Sequence, residues 1–172
     1  MIEEKFHIET ERLKLRDFKI SDAFSFFHLN LDEEVMKYTG DVTFDSVEET
    51  EIFLNNYSDY ERNGFGRWTV VRKEDNEILG WCGLKKRQDG VIDIGYRFHK
   101  KFWNKGYATE SARACLNYGF EVLNLEEIIG NTDRENLASI KVLEKIGLKF
   151  WKNDKYDGIN DSVQYIILKM NS

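Results

Sequence analysis

The residues best suited to chemistry in this chain lie in a short basic loop with one glycine. Lys100, Lys101, Lys105 and Gly106 separate a stretch of alternating residues from a long stretch with helical spacing. Glycine lets a backbone approach a ligand, and the first amides of a helix point outward unpaired at the positive end of its dipole. The loop therefore predicts a phosphate site. The alternative is a plain surface turn, because Gly106-x-Ala108 is neither a Walker loop nor a dinucleotide fingerprint.

The elements upstream of this loop are predicted to be one strand, two helices and a three-stranded antiparallel meander. The strand spans residues 10–18, and the first helix runs from a cap at Ser21 or Asp22 to about residue 29. The second helix runs from a capping box at residues 46–49 to about residue 62. Turn sequences separate the meander strands, which are expected over residues 67–73, 77–86 and 91–98.

Downstream of the loop, the pattern predicts two helices and three strands. The first helix ends near residue 124, and the second is capped by Asn136 and stopped by Gly147. The strands are expected over residues 126–132, 149–155 and 162–170. The expected fold class is α/β (α+β), in a single domain over residues 1–172.

Composition excludes several classes of function. The net charge of −6 leaves no broad basic face, so a cationic substrate is favoured and no nucleic-acid partner is expected. No apolar run reaches the length of a membrane span and the N-terminus lacks an apolar signal core, so we expect no membrane partner and a cytoplasmic location. The 2 cysteines are too few for a zinc cluster and the 3 histidines lack ligand spacing, so no metal is expected.

Three segments in order along the chain resemble the GCN5-related N-acetyltransferase (GNAT) family. The loop resembles its coenzyme-A pattern Arg/Gln-x-x-Gly-x-Gly/Ala, with Trp103 at the first position, as in members similar to ribosomal-protein and spermidine N-acetyltransferases. The second segment is Asn-x-x-Ser-x-x-Val-Leu-Glu-Lys-x-Gly-Leu over residues 136–148, and the third is Asp-x-Val-x-Tyr over residues 161–165. Together the resemblance covers roughly residues 10–169.

This resemblance implies a mixed, mostly antiparallel sheet of six or seven strands, splayed in the middle and flanked by about four helices. Acetyl-CoA would enter the split after the strand ending at Phe98, as a co-substrate without metal. The main chain of residues 96–98 would pair with pantetheine and the amides of residues 104–108 would bind the diphosphate, while Trp103 packs on either the cofactor or the core. The implied cofactor-binding residues are Tyr96, Arg97, Phe98, Trp103, Asn104, Lys105, Gly106, Tyr107, Ala108, Thr109, Asn136, Ser139 and Lys145.

The implied activity is transfer of an acetyl group to a primary amine by direct attack in a ternary complex. Ser139 matches the serine that faces the coenzyme sulfur in related enzymes, and it either protonates the leaving thiolate or bonds its own helical turn. Asp93 is either the general base beside the split or a carboxylate on the sheet surface. The chemistry alone requires a neutral amine, a polarised carbonyl and an acid for the thiolate.

The acceptor is expected to be a protein N-terminus, a polyamine or another small amine. Glu33, in the acidic cluster at residues 32–34, and Tyr38 either wall its pocket or belong to the solvated surface. Asp161 either shapes that pocket or pairs with Tyr165 in the last strands. Two other classes stay open, namely a non-catalytic acyl-CoA sensor or ribosome-associated module, and a purely structural domain. Dimers are frequent in folds of this kind, so a homodimer is also an expectation.

Overall fold

The strands of the molecule form a single sheet. A computed structural model describes residues 3–156 and 158–171, so residues 1, 2, 157 and 172 of the expected domain lie outside the described part. The sheet has eight strands in the order β1-β2-β3-β4-β5-β6-β8-β7. They are β1 (Ile8–Glu9), β2 (Leu13–Arg16), β3 (Arg67–Arg72), β4 (Ile78–Lys86), β5 (Ile92–Phe98), β6 (Glu127–Asp133), β7 (Lys149–Tyr156) and β8 (Ile159–Leu168). The count exceeds the expected six or seven because two residues before the first expected strand pair with it as β1.

The sheet opens between β5 and β6, as the resemblance predicts. Every other neighbouring pair is antiparallel, and β4 and β5 pair from Gly80↔Phe98 to Lys86↔Ile92. β5 and β6 are parallel and share one registered pair, Asp93↔Ile129. The two strands are therefore joined near their amino ends only. We call the gap beyond that pair, between residues 94–98 and 130–133, the split.

Four helices of nine or more residues flank the sheet, and two single helical turns accompany them. They are α1 (Ala23–Leu31), α2 (Glu33–Met36), α3 (Val47–Asn55), α4 (Asp59–Asn63), α5 (Tyr107–Glu121) and α6 (Leu137–Lys145). α5 packs on β4 and β5, where Ala112, Cys115 and Leu116 are buried. No helix in the described part of the chain is long and apolar enough to cross a lipid bilayer.

The single helix expected over residues 46–62 is wrong, because the chain is divided into α3 and α4. Tyr57, between the two helices, and Tyr60, in α4, turn their hydroxyls towards the first residue of β3. The main-chain amide of Arg67 donates to the Tyr57 hydroxyl at 2.8 Å, and the Tyr60 hydroxyl donates to the Arg67 carbonyl. The break between the helices lets both rings reach the sheet.

The expected side-chain cap at Ser21 or Asp22 is also absent, although α1 begins at the predicted place. The Asp22 carboxylate is buried and accepts two hydrogen bonds from Arg16, at 2.8 and 2.9 Å. It also accepts from the Thr69 hydroxyl at 2.7 Å. A buried charge needs a paired partner, so this carboxylate ties the first helix to β2 and β3 instead of capping it.

Candidate active site

The loop after β5 leaves a helix N-terminus open to solvent. A 3-10 turn (Lys100–Phe102) leads into it, and Gly106 stands at the N-cap of α5 with φ +81°. The first helical bond runs from the Glu110 amide to the Gly106 carbonyl at 3.0 Å. No side chain caps the helix, and no hydrogen bond from the described residues reaches the amides of residues 107–109. These amides are therefore unpaired donors at the positive end of the helix dipole, which is the arrangement that the sequence predicts for a phosphate site.

The exposure of the loop residues agrees with such a site. Asn104, Lys105 and Gly106 are exposed, Ala108 and Thr109 are half-buried. The Tyr107 ring is buried in the main core and fixes the first turn of α5. Asn104 has φ +60°, so two left-handed positions, 104 and 106, form the tight bend.

Trp103 does not lie in the core, which was one of the two places expected for it. Its indole nitrogen donates to the Phe98 carbonyl at 2.9 Å, which joins the start of the loop to the end of β5. The residue is 38% exposed, so it is not part of the core. The Phe98 carbonyl, which is expected to pair with pantetheine, already accepts this one hydrogen bond. A carbonyl oxygen has two lone pairs, so Phe98 stays among the residues 96–98 whose main chain is expected to pair with pantetheine.

Ser139 lies across the split from Tyr96, at the start of α6. The Tyr96 hydroxyl donates to the Ser139 carbonyl at 2.9 Å and lies 3.1 Å from the Ser139 Oγ. Burial raises the pKa of Tyr96 above its ordinary value, so the phenol stays neutral. Asn136 caps α6 as expected, accepting from the Ser139 amide at 3.2 Å. The Ser139 hydroxyl thus faces the split and not its own helical turn.

Asp93 lies at the closed end of the split and is only 3% exposed. Its carboxylate accepts from Arg67 Nη2 at 2.5 Å, and Arg67 Nη1 donates to the Asp93 and Gly83 carbonyls. Side chains alternate along a strand, so Asp93 and Tyr96 point to opposite faces of β5. The structure therefore does not bring Asp93 and Ser139 together, and the carboxylate expected as a base is held in an ion pair.

The Arg97 side chain points away from the loop, on the same face as Asp93. Its guanidinium donates to Asn30 Oδ1 at 2.9 Å and to the Asp41 carboxylate. It also lies over the Trp81 ring, 5.2 Å from the centroid. Only the main chain of Arg97 is left to face the split.

A groove of about 350 Å³ lies beside the carboxyl end of β6. Tyr38 lies in it as expected, together with two carboxylates that the sequence did not single out, Asp41 and Asp133. The other lining residues are Met36, Lys37, Gly40, Gly158 and Ile159. The main chains of Gly40 and Gly158 touch, since a Cβ added to Gly40 would lie 2.5 Å from the Gly158 carbonyl carbon. This contact joins the segment after α2 to the β7–β8 hairpin.

Two of the three residues expected around the acceptor lie outside this groove. Glu33 is exposed in the first turn of α2, and the Asp161 carboxylate pairs with Arg134 at 3.2 Å on the surface. Lys145, expected to bind the cofactor, is the last residue of α6, about 9 Å along the axis from Ser139. Its carbonyl accepts from Arg113 Nη2 at 3.0 Å, which joins α6 to α5.

Arg12 contacts the loop, and the sequence did not predict this contact. It lies between β1 and β2, and its guanidinium donates to the Lys105 carbonyl at 3.0 Å and to Glu110 at 2.7 Å. The only signal was the opening Glu-Thr-Glu-Arg-Leu over residues 9–13, which the family resemblance includes. Nothing in the sequence pairs residues that are 98 positions apart.

Comparisons with known proteins agree on one family. Residues 12–149 match the acetyltransferase (GNAT) domain model. The chain is 34% identical over 143 residues to the uncharacterised N-acetyltransferase YnaD of Bacillus subtilis (strain 168), covering 83% of this chain and 82% of that protein. A GNAT acetyltransferase from Bacillus anthracis has a crystal structure that is 32% identical, with a TM-score of 0.80 over 95% of this chain and 98% of that one.

A more distant structure shows the same fold. The spermidine N-acetyltransferase from Vibrio cholerae, solved in complex with CoA and spermine, is 21% identical with a TM-score of 0.77, covering 92% of this chain and 96% of that one. The mixed sheet and its opening agree with the fold that the resemblance implied, and the expected class of enzyme, an N-acetyltransferase, is confirmed. The chain therefore belongs to the GNAT acetyltransferase family.

Proposed function

We propose that this chain transfers an acetyl group from acetyl-CoA to a cationic primary amine, by direct attack in a ternary complex. The observation that carries the proposal is the split itself. β5 and β6 pair only at Asp93↔Ile129, and the uncapped amides of α5 follow the open end of β5. An elongated ligand with a diphosphate at one end matches this arrangement. The spermidine enzyme of Vibrio cholerae, solved with CoA and spermine, offers a precedent in the same fold.

The loop holds the coenzyme through main-chain donors. The amides of Tyr107, Ala108 and Thr109 are free of partners among the described residues. Hydrogen bonds to charged groups contribute about 1.5–3 kcal/mol each, so three of them supply much of the roughly 8 kcal/mol of a micromolar complex. The main chain around Tyr96 and Arg97 pairs with pantetheine along the open edge of β5. No cationic side chain is needed at position 103 for this.

Ser139 acts as the acid for the departing thiolate. Its hydroxyl faces the split, and Tyr96 orients it through hydrogen bonds to both its carbonyl and its Oγ. As the new carbon–nitrogen bond forms and the carbon–sulfur bond breaks, the Ser139 proton passes to the sulfur. The attacking nitrogen gives up a proton in the same step, and this proton returns to the Ser139 oxygen. Because Asp93 is paired with Arg67, we assign the prior deprotonation of the ammonium group to water. An α-amine, with a pKa of about 8, needs little help, whereas an alkylamine at about 10.4 costs roughly 4–5 kcal/mol at neutral pH.

The groove supplies the recognition of the acceptor. Its carboxylates are Asp133 and Asp41, of which Asp41 is already paired with Arg97. The net charge of the chain, −6, adds to the attraction of a cation. A polyamine or a positively charged peptide N-terminus fits this charge.

Thiol release from acetyl-CoA across an amine panel tests the proposal. The panel contains spermidine, short peptides with free N-termini and simple alkylamines, and the matched control is each amine in its N-acetylated form. We expect release with at least one free amine and none with the acetylated forms. Tight acetyl-CoA binding without release across the panel would indicate a coenzyme sensor instead. No binding at all would contradict both functions.

A further inference from the structure

Arg12 contacts the loop from a distant part of the chain. Its Nε donates to Glu110 Oε2 at 2.7 Å and its Nη1 to the Lys105 carbonyl at 3.0 Å. Its guanidinium lies over the Tyr107 ring, 4.3 Å from the centroid. Its Nη2 lies 3.3 Å from the position that a Cβ on Gly106 would occupy. The guanidinium is therefore held against the first turn of α5 on three sides.

One nitrogen of this guanidinium is left without a partner. Nη2 has no hydrogen-bond acceptor among the described residues, and the side chain is 40% exposed. Nη2 lies beside Gly106, next to the uncapped amides. A charged N–H donor at this place suits a phosphate oxygen.

We propose that Arg12 supplies the cationic contact to the coenzyme diphosphate that Trp103, at the first position of the loop, lacks. Trp103 uses its indole nitrogen on the Phe98 carbonyl, so it offers the diphosphate neither charge nor a free donor. Arg12 reaches the same loop from the turn between β1 and β2. The inference rests on the proposed function, because it names a further residue of the same coenzyme site.

Glu110 has the role of holding Arg12 in place. Its carboxylate accepts from Arg12 Nε, from the Arg12 amide at 3.0 Å and from the Thr10 hydroxyl at 2.6 Å. Burial alone would raise the pKa of Glu110, but these hydrogen bonds outweigh it and keep the pKa below its ordinary value. An unpaired carboxylate at this place would repel a diphosphate. Paired with Arg12, it fixes the guanidinium while its own charge is neutralised.

The competing explanation is that the Arg12–Glu110 pair only fastens α5 to the β1–β2 turn. Isothermal titration of the full chain with CoA and with 3′-dephospho-CoA separates the two, since both ligands carry the diphosphate. The variants are Arg12→Gln, Glu110→Gln and the double variant, and the matched control is Lys14→Gln, which removes a positive charge from neighbouring β2. Melting temperatures report whether each variant folds.

We expect Arg12→Gln to weaken both ligands equally, by about 10- to 100-fold, and Lys14→Gln to leave both nearly unchanged. The double variant leaves no unpaired charge, so it remains informative if Arg12→Gln is unstable. We expect it to bind both ligands more weakly than the wild type, although less weakly than Arg12→Gln, which also leaves the Glu110 carboxylate unpaired. Recovery of wild-type affinity in the double variant would overturn the inference, since Arg12 would then only neutralise Glu110. A loss confined to CoA would also overturn it, because it would assign Arg12 to the 3′-phosphate.

The outcomes also separate this inference from the proposed function. Wild-type protein that binds neither ligand would contradict both. Wild-type protein that binds both, with unchanged affinity in folded Arg12→Gln, would contradict the role of Arg12 alone.

Discussion

At the scale of single residues, the proposed place of proton transfer follows from the hydrogen bonds between Tyr96 and Ser139. They span the split from β5 to α6, at 2.9 Å to the Ser139 carbonyl and 3.1 Å to its Oγ. The Tyr96 hydroxyl donates its proton to the Ser139 carbonyl, which fixes the start of α6. The Ser139 hydroxyl can then donate to the phenol oxygen. When a thiolate develops in the split, the Ser139 proton can turn towards it.

Replacing Ser139 by Ala should therefore lower kcat by about 100-fold, the low end of the usual contribution of a general acid. The affinity for CoA and the melting temperature should change little, because the loop amides and the Tyr96 contact to the main chain remain. Steady-state kinetics with saturating acetyl-CoA measures the effect. Unchanged turnover would remove Ser139 from the acid role.

Breaking the Asp93–Arg67 pair should lower the stability of the fold and leave the catalytic chemistry unchanged. Asp93→Asn leaves the Arg67 charge buried against a neutral amide, and breaking a buried pair costs about 3–5 kcal/mol. We expect a clear loss of unfolding free energy in urea, with little change in the shape of the pH–rate profile of the folded enzyme. A stable variant that has lost activity at every pH would instead identify Asp93 as the base.

At the scale of elements, the position of α5 depends on an ion pair at its first turn. Glu110 joins α5 to Arg12 and Thr10, and these hydrogen bonds keep its pKa below its ordinary value although burial alone would raise it. A depressed pKa contributes stability above the unfolded-state pKa, and this contribution is lost as the pH falls through the folded-state value. The Glu110 charge should therefore make its full contribution to the free energy of unfolding at neutral pH, and this contribution should vanish in acid.

The Glu110→Gln variant should melt at a lower temperature than the wild type at pH 7, with the difference shrinking below about pH 4. Thermal melts over this pH range, at one salt concentration, measure it. Glu144→Gln, at an exposed position of α6, serves as the control and should show no such trend. A difference between wild type and Glu110→Gln that is constant with pH would contradict the role given to the Glu110 charge.

The elements whose ends carry local signals could be predicted from the sequence. β4 was expected over residues 77–86 and spans Ile78–Lys86, because turn residues bound it on both sides. Asn136 caps α6 as expected. The break between α3 and α4 was missed, because its cause is a hydrogen bond to Tyr57 from a residue ten positions further along the chain. Local patterns do not contain such a contact.

The residues of the candidate site also divide into those with a local sequence signal and those placed by contacts between distant parts of the chain. The loop at Gly106 could be found because glycine, lysines and helical spacing stand together in the sequence. Arg12 reaches the loop because α5 packs across the sheet as far as β1, and Asp133 reaches the groove as the last residue of β6. Glu33, although part of an acidic cluster, lies on an exposed turn.

At the scale of the whole molecule, the proposed recognition of the acceptor depends on the charge and the shape of the groove. The groove lies where the segment after α2 meets the β7–β8 hairpin, through the contact of Gly40 with Gly158. Asp41 is neutralised by Arg97, while Asp133 has no ion-pair partner among the described residues. The carboxylate of Asp133 is thus the main source of negative charge in the groove.

Asp133→Asn should raise the KM of a cationic amine by about tenfold, as expected for the loss of one charge-assisted contact of about 1.4 kcal/mol. The affinity for CoA should not change. Asp161→Asn, outside the groove, is the matched control and should leave the KM nearly unchanged. Equal effects of the two variants would show that only the overall charge matters.

The central claim is that the uncapped turn at Gly106 binds the diphosphate of the coenzyme, and titration of Gly106→Asp with acetyl-CoA tests it most directly. The control is Gly64→Asp, because Gly64 has nearly the same φ of +80° and nothing within 4 Å of an added Cβ. Both variants carry the same backbone strain and the same added charge, and only one of them lies beside the α5 amides. We predict that acetyl-CoA binding is lost in Gly106→Asp and kept in Gly64→Asp, and unaltered affinity in a folded Gly106→Asp would contradict the account.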